Sequence, residues 1–443
     1  MLALNVVAAI IVLLAMITLL KIHPFVALLL TSFGVGVASG MPLLKVVESI
    51  QTGFGNTLGF IGIVLGIGTM LGKLLEESGG AERIARTLIA ALGPKRVHWA
   101  MYIVAFIVGI PVFFQVGFVL LIPLVFTITR ELKIPPLRVG LPMLASLSVV
   151  HGILPPHPAA LASVAIFNAD IGRTIVYGIL VGIPSSMIAG PFFATWIAPK
   201  FAGFATTKMK ELSTETAPRK DLPSFGVTLF TILLPVFLLL LATYADVYLV
   251  KGTTLFTYLK FIGNPITSLT LALLVAYWTL GKSRGMTLAQ ISKHSDQSLL
   301  LIASILLILG AGGAFSKVLI DSGTGAYVAE LAKSFHLNPI VFGWVVATLI
   351  RVATGSATVA MTTAAGIVAP LTATTGVSPE LMVLAVGGGA LMLSHVNDAG
   401  FWLIKDYFNM SLRLTFLTWT ALETILGTAI LVFTLALQAV LGG

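Results

Sequence analysis

The chain contains no cysteine, which excludes disulfides and thiol chemistry and leaves the compartment open. Charge is scarce: 10% of residues are Asp, Glu, Lys or Arg, against about 25% in a soluble domain. There is no P-loop, no His-Glu-x-x-His and no Gly-x-Ser-x-Gly, so ATP-driven transport and the common intramembrane hydrolases have no motif to carry them. Basic residues do not cluster with aromatics, which argues against nucleic acid as a partner. The alternating short strands of a membrane barrel are missing too. The first residues lack the basic start of a signal peptide. Their apolar run reaches Leu20 and meets Lys21 rather than a small-residue cleavage site, so it reads as a retained first helix.

What is present is apolar sequence from end to end. Hydrophobic residues make up 57% of the 443, and the mean hydropathy is +1.04. The expected fold class is all-α, a polytopic membrane protein in the lipid bilayer. Candidate membrane segments fall near 3–20, 22–39, 58–75, 97–128, 140–165, 172–198, 225–244, 262–280, 299–319, 338–373, 380–404 and 415–441. Two of them, 97–128 and 338–373, are too long for one crossing at about 1.5 Å per residue. Each reads as two crossings, or as one crossing plus a re-entrant hairpin. Pro111, Gly117 and Pro123 punctuate the first; Gly355, Gly366 and Pro370 punctuate the second. Such breaks are tolerated where protein or a watery cavity receives the freed backbone groups.

The net charge of +9 is spread over short loops and reads as the Lys and Arg that orient the helices. The main polar interruption, 200–224, is expected to be a cytoplasmic linker between a first repeat at 1–199 and a second at 225–443. The halves resemble each other at an offset of 244: Gly66/Gly310, Gly68/Gly312, Lys73/Lys317, Leu75/Leu319, Ser78/Ser322, Gly79/Gly323 and Ala85/Ala329. At the same offset the broken stretch Pro111–Gln115 falls on Gly355–Val359. Paired interrupted segments point to a transporter's substrate site, and inverted repeats are the expected relation.

Arg351 carries most of the functional signal. It is the one charge in 344–373 and precedes Gly355-Ser356-Ala357-Thr358-Val359-Ala360. A cation at bilayer depth is costly and must face a partner or water; hydroxyls and free amides beside it suit a small anion. His151-Gly152-Ile153-Leu154-Pro155-Pro156-His157-Pro158 is a proline-broken helix, and its two histidines can exchange protons near neutral pH. Ser394-His395-Val396-Asn397-Asp398 is the second-half counterpart. His395 and Asp398 would share a face if that stretch is helical, and an acid in apolar surroundings suits proton coupling.

At these residues the sequence resembles the gluconate permease family, the gluconate:proton symporters of bacterial inner membranes. The motifs are Pro155-Pro156-His157-Pro158, the Gly355–Ala360 stretch, Thr374-Thr375-Gly376-Val377-Ser378-Pro379-Glu380-Leu381-Met382, and Ser394–Asp398 with Gly400-Phe401-Trp402. The resemblance spans nearly the whole chain. It implies about twelve to fourteen helices with re-entrant hairpins, a multi-pass inner-membrane location and, by analogy with the wider ion-transporter superfamily, a homodimer. It also implies no enzymatic step and no cofactor, with the proton as coupling ion. Two departures stand out. Ala159-Ala160 replaces the usual Gly-Pro and matches the D-serine branch of the family, and Gln115 stands where an acid is typical. The longer second-half motif sides with the sugar-acid branch.

The resulting expectation is a symporter of gluconate or a related small organic anion. Arg351, Ser356, Thr358, Asn397 and His157 would bind substrate, and Asp398, His395 and His151 would couple the proton. The alternatives are a D-serine:proton symporter, an intramembrane metalloenzyme using His157, His395 and Asp398, and a passive channel.

Overall fold

The computed structural model describes residues 8–201, 221–323 and 338–441, apart from positions 10, 14, 18 and 301. Most of the expected linker, the start of the first helix and Ala329 of the repeat match lie outside these residues. All regular structure among them is helical. In the first half α1 (Pro24–Ala38), α2 (Leu43–Glu77), α3 (Gly80–Leu92), α4 (Val97–Gly109), α5 (Phe114–Leu132), α6 (Pro136–Ile153), α7 (Pro158–Phe167), α8 (Ile171–Met187) and α9 (Phe193–Ile197) follow in order. The second half holds α10 (Phe225–Tyr248), α11 (Thr254–Ile262), α12 (Pro265–Ala276), α13 (Leu288–Leu300), α14 (Ala303–Asp321), α15 (Pro339–Thr354), α16 (Ala357–Thr375), α17 (Pro379–Leu391), α18 (Ala399–Tyr407), α19 (Leu412–Thr415) and α20 (Ala421–Leu441).

By length and composition seven described spans can cross a bilayer, or eight with the bent pair α11–α12. Four shorter apolar helices add to them. A 16-residue helix such as α15 reaches about 24 Å, short of a hydrocarbon core of about 30 Å. The expected twelve to fourteen helices therefore include segments that go only part of the way.

Of the expected punctuation points, Pro111 and Gly355 mark breaks, whereas Gly117 and Pro123 lie within α5 and Gly366 and Pro370 within α16. α4 stops before Pro111, which lacks an amide hydrogen, and α5 begins at Phe114. α15 ends on Gly355 at φ +71°, and the Ser356 hydroxyl accepts a hydrogen bond from the Val359 amide to start α16. α6 and α7 are separated by 154–157, and α17 and α18 by 392–398. The last stretch is not helical, so His395 and Asp398 do not share a helical face; the Asp398 amide donates to the His395 carbonyl in a turn instead. His157 and Asp398 occupy matching places, each the N-cap of the short helix after its break.

The repeat is visible in side-chain detail. Lys73 pairs with Glu77 at 2.8 Å and Lys317 with Asp321 at 2.6 Å. Both helices then end on Ser-Gly, with Gly79 at φ +75° and Gly323 at φ +72°. These counterpart ends belong to helices that pack on each other and run antiparallel. Ser49 meets Asp321 at 2.7 Å, the Gly53 backbone adjoins Gly313, Gly66 adjoins Leu299, and Glu77 lies 3.7 Å from His294. The contacts reciprocate: at the offset of 244, Ser49 falls beside His294 and Glu77 falls on Asp321. Antiparallel counterparts with reciprocal contacts are what an inverted repeat produces.

Two further features position the centre. α17 is buried along its whole length, as is almost all of α6, so protein rather than lipid surrounds both. Glu380 at the start of α17 accepts the Asp170 amide at 3.0 Å and the Ser378 hydroxyl at 2.5 Å, fastening the second half to the start of α8.

At the α2–α14 crossing a Cβ on Gly313 would stand 1.9 Å from the Thr57 hydroxyl and 2.7 Å from the Gly53 carbonyl. Gly313→Val should therefore force the halves apart and cost about 1–3 kcal/mol, read as a lower thermal midpoint in detergent. Gly62→Ala, where a Cβ meets nothing within 4 Å, should leave the midpoint unchanged or raise it. Equal midpoints for Gly313→Val and the parent protein would show that the crossing is not tight.

Candidate functional site

The four chain breaks converge on one cavity of about 330 Å³. Phe113–Gln115 at the start of α5, Pro158 of α7, Ser356–Thr358 at the start of α16 and Asp398–Gly400 at the start of α18 all line it. Four helix N-termini thus face a common space. Their positive dipole ends favour an anion there. Gly355 makes the approach possible: a Cβ on it would lie 2.2 Å from the Asn397 carbonyl oxygen.

Arg351, on the last turn of α15, is 4% exposed and ion-paired with Asp398 through Nη2. Its Nε and Nη1 have no partner, so the guanidinium keeps donors for something else. Asp398 is fully engaged. One oxygen accepts from Arg351 and from the Ser394 hydroxyl; the other accepts the Gly400 amide at 2.8 Å. The Trp419 indole N–H in turn donates to the Ser394 oxygen at 2.7 Å, and Thr420 donates to the Ser394 carbonyl at 2.5 Å. Asp398 is built as the fixed counter-ion of Arg351.

The structure brings Arg351, Ser356, Thr358, Asn397, Asp398 and His151 to the cavity wall. Asn397 also donates its amide to the Val352 carbonyl at 2.8 Å, closing the end of α15. Gln115 is exposed and lines the same space. Two expected residues do not line it. His157 is 3% exposed and sits behind His151, with Nε2 3.3 Å from the Val112 carbonyl oxygen. His395 is partly buried in the 392–398 turn, away from the lining.

Glu423 escaped the sequence reading. It lies on α20, is 2% exposed, lines the cavity beside Ser148 and leaves Oε1 without a hydrogen-bond partner. The signal was available: it is the one charge in 415–441, the same argument that singles out Arg351. Trp419 and Phe114, with rings 5.6 Å apart, form the apolar part of the wall.

Removing one partner of a buried ion pair leaves the other unmatched. Asp398→Ala should cost about 3–5 kcal/mol, measured as loss of the folded fraction on heating in detergent. An Arg351→Met/Asp398→Leu double variant should regain most of that stability. A double variant as unstable as the single one would show that the pair is not what fixes the break.

Comparison with known proteins places this geometry. A family model described as GntP family permease matches residues 1–440. A gluconate permease of Pseudomonas aeruginosa is 51% identical over 441 residues, covering 99% of this chain and 98% of that one. A high-affinity gluconate transporter of Escherichia coli is 46% identical over 433 residues, 98% of each chain. A D-serine transporter of Escherichia coli is 43% identical over 406 residues, 90% of each. The crystal structure of the YdaH transporter of Alcanivorax borkumensis shares the fold, with a TM-score of 0.68 at 16% identity over 95% of this chain and 98% of that one. A multi-pass helical membrane protein whose broken helices converge on a buried arginine, the chain belongs to the GntP permease family.

Proposed function

We propose that this chain is a secondary symporter that carries gluconate, or a closely related sugar acid, into the cell with a proton across a bacterial inner membrane. The observation that carries the reading is Arg351: a buried cation whose Nε and Nη1 donors are unpartnered, at a cavity ringed by four helix N-termini. Such a site selects a small anion. The 51% and 46% identities to a gluconate permease and a gluconate transporter support the sugar acid over D-serine, whose transporter is 43% identical. Transport leaves the substrate chemically unchanged.

Each residue has a role in this reading. Arg351 takes the substrate carboxylate, while Asp398 holds the guanidinium in place. Ser356, Thr358, Asn397 and Gln115 offer hydrogen bonds to the hydroxyls. Glu423 carries the coupled proton. It lines the same cavity and makes no ion pair within 4.0 Å among the described residues, so when ionised it repels an incoming carboxylate. Protonation removes that repulsion, which makes anion and proton binding cooperative. Asp398, the acid first expected to take the proton, has both oxygens engaged by donors. Loaded with both, the site adds no net charge for the low-dielectric crossing. The halves 1–199 and 225–443 then move against each other about the fixed site.

The test is uptake into proteoliposomes. An imposed inward proton gradient should drive accumulation of labelled gluconate, and a protonophore should abolish it. Excess unlabelled gluconate should compete at least tenfold better than D-serine. Accumulation indifferent to the protonophore would end the symport reading; D-serine as the better competitor would end the sugar-acid reading. Arg351→Ala should abolish uptake, and gluconate uptake by that variant at the parent rate would remove Arg351 from the site. Glu423→Gln should retain exchange of labelled for unlabelled substrate and lose dependence on pH, because its neutral side chain mimics the protonated acid. In the parent protein apparent affinity should fall as pH rises. An unchanged pH profile in Glu423→Gln would move the proton elsewhere.

A further inference from the structure

Six cations gather at one end of the bundle from separate stretches of chain: Lys95 and Arg96 before α4, Lys133 after α5, Arg138 in α6, Lys200 after α9 and Arg413 in α19. Packing brings the stretches together. The Trp99 ring meets Phe192 edge-on at 5.6 Å, which joins the start of α4 to the turn between α8 and α9. Arg138 is near enough to His98 for their charges to interact. Pro135, Leu137, Phe201 and Leu414 border one small space, which joins α6 and α19 to the end of α9. All of the cations are exposed except Arg138, which is half-buried. None makes an ion pair within 4.0 Å among the described residues. Several cations elsewhere do have an acid beside them: Lys45 with Glu48 at 3.2 Å, Lys260 with Asp246 at 2.6 Å and Lys317 with Asp321 at 2.6 Å. The acids nearest in sequence to the cluster are Glu131 and Asp406, and Asp406 is already paired with Lys405 at 3.2 Å. No single run of sequence contains the cluster.

The cluster caps an apolar stripe. Ile171–Phe201 is one span, long and apolar enough to cross a bilayer. Along it Leu180, Ile183, Ile188, Phe192 and Trp196 are between 38% and 62% exposed. They stand three to five residues apart and so share one side. The stripe runs into Lys200, whose Nζ sits 3.4 Å over the Trp196 ring. From Ile188 to Lys200 is about 18 Å of helix, close to one leaflet's share of a hydrocarbon core about 30 Å thick. Trp99 and Trp196 then stand at headgroup depth, where tryptophan concentrates.

We propose that this end of the α8–α9 span binds an anionic phospholipid. Arg96 and Lys200 hold the phosphate, the neighbouring cations add to the positive field, and an acyl chain lies along Ile188, Phe192 and Trp196. Guanidinium and ammonium groups are both suited to a phosphate, and clusters of Lys and Arg beside membrane helices attract anionic lipid. Only a lipid uses both halves of the feature. A soluble anion would meet the cations and leave the stripe uncovered. A second copy docked here about a two-fold axis would set these cations against themselves. The bound headgroup bridges the start of α4, which leads to the break at Pro111, and the end of the neighbouring span. Binding the folded bundle in this way stabilises it. The site takes nothing from the substrate cavity and does not depend on which solute is carried.

The experiment uses the purified full-length protein in a neutral detergent. It is titrated with phosphatidylglycerol, phosphatidylcholine or the soluble headgroup glycerol phosphate, and bound molecules are counted by native mass spectrometry. Phosphatidylglycerol should bind at least tenfold more tightly than either of the others and raise the thermal midpoint. Arg96→Gln/Lys200→Gln should weaken phosphatidylglycerol at least tenfold. Lys282→Gln/Lys293→Gln removes equal charge at exposed positions outside the cluster and should stay within about twofold of the parent. Equal loss in both double variants would overturn the site in favour of diffuse surface charge. Parent-like binding by Arg96→Gln/Lys200→Gln, or no preference for phosphatidylglycerol over phosphatidylcholine, would also overturn it. Glycerol phosphate binding as tightly as the lipid would make this a site for a soluble anion instead. A changed oligomeric state in Arg96→Gln/Lys200→Gln, with lipid binding kept, would assign the face to a second copy.

Discussion

The protein is organised around a buried guanidinium on the wall of its central cavity. Arg351 sits at the end of a helix inside an apolar bundle, and burying an unmatched charge there is prohibitive. One turn of chain answers it: Asp398, held by the Ser394 hydroxyl and the Gly400 amide, with Ser394 in turn fixed by Trp419 and Thr420. That chain of hydrogen bonds joins α15, the 392–398 break and the segment leading into α20. It is therefore also what holds two broken helices with their N-termini towards one space.

Breaking a helix in a membrane exposes amides and carbonyls that lipid cannot satisfy. Here each break is enclosed by protein: α17 and almost all of α6 are buried, and the starts of the helices after the breaks line a cavity of about 330 Å³. A cost in backbone hydrogen bonding becomes a preference for an anion. The breaks stand at matching places in 1–199 and 225–443, and the two halves bring different groups. The second half holds the charges Arg351, Asp398 and Glu423. The first half holds the neutral or titratable His151, His157, Ser148 and Gln115.

Much of this was legible in the chain. Pro111, Gly355 and the Pro155-Pro156 pair mark the breaks because a missing amide or a positive φ stops a helix whatever surrounds it. Arg351 declared itself by being alone in apolar sequence, and Glu423 carried the same signal. The repeat showed through Lys73/Lys317 and Ser78-Gly79/Ser322-Gly323, since local capping geometry is written in neighbouring residues. His395 misled because spacing predicts a shared face only for a helix, and 392–398 is not one.

The sequence by itself determined the solvent, the helices, their interruptions and the presence of a stranded cation, because each depends on residues within a turn or two of one another. Only the tertiary structure decided what those residues face. Asp398, an expected proton carrier, has its acceptor positions filled by Ser394 and by Arg351, 47 residues away. His157 is behind the cavity wall rather than in it, and Glu423, near the other end of the chain, stands beside Ser148 with an oxygen unpartnered. Hydrogen-bond satisfaction and access are properties of packing between distant segments, and no local pattern encodes them.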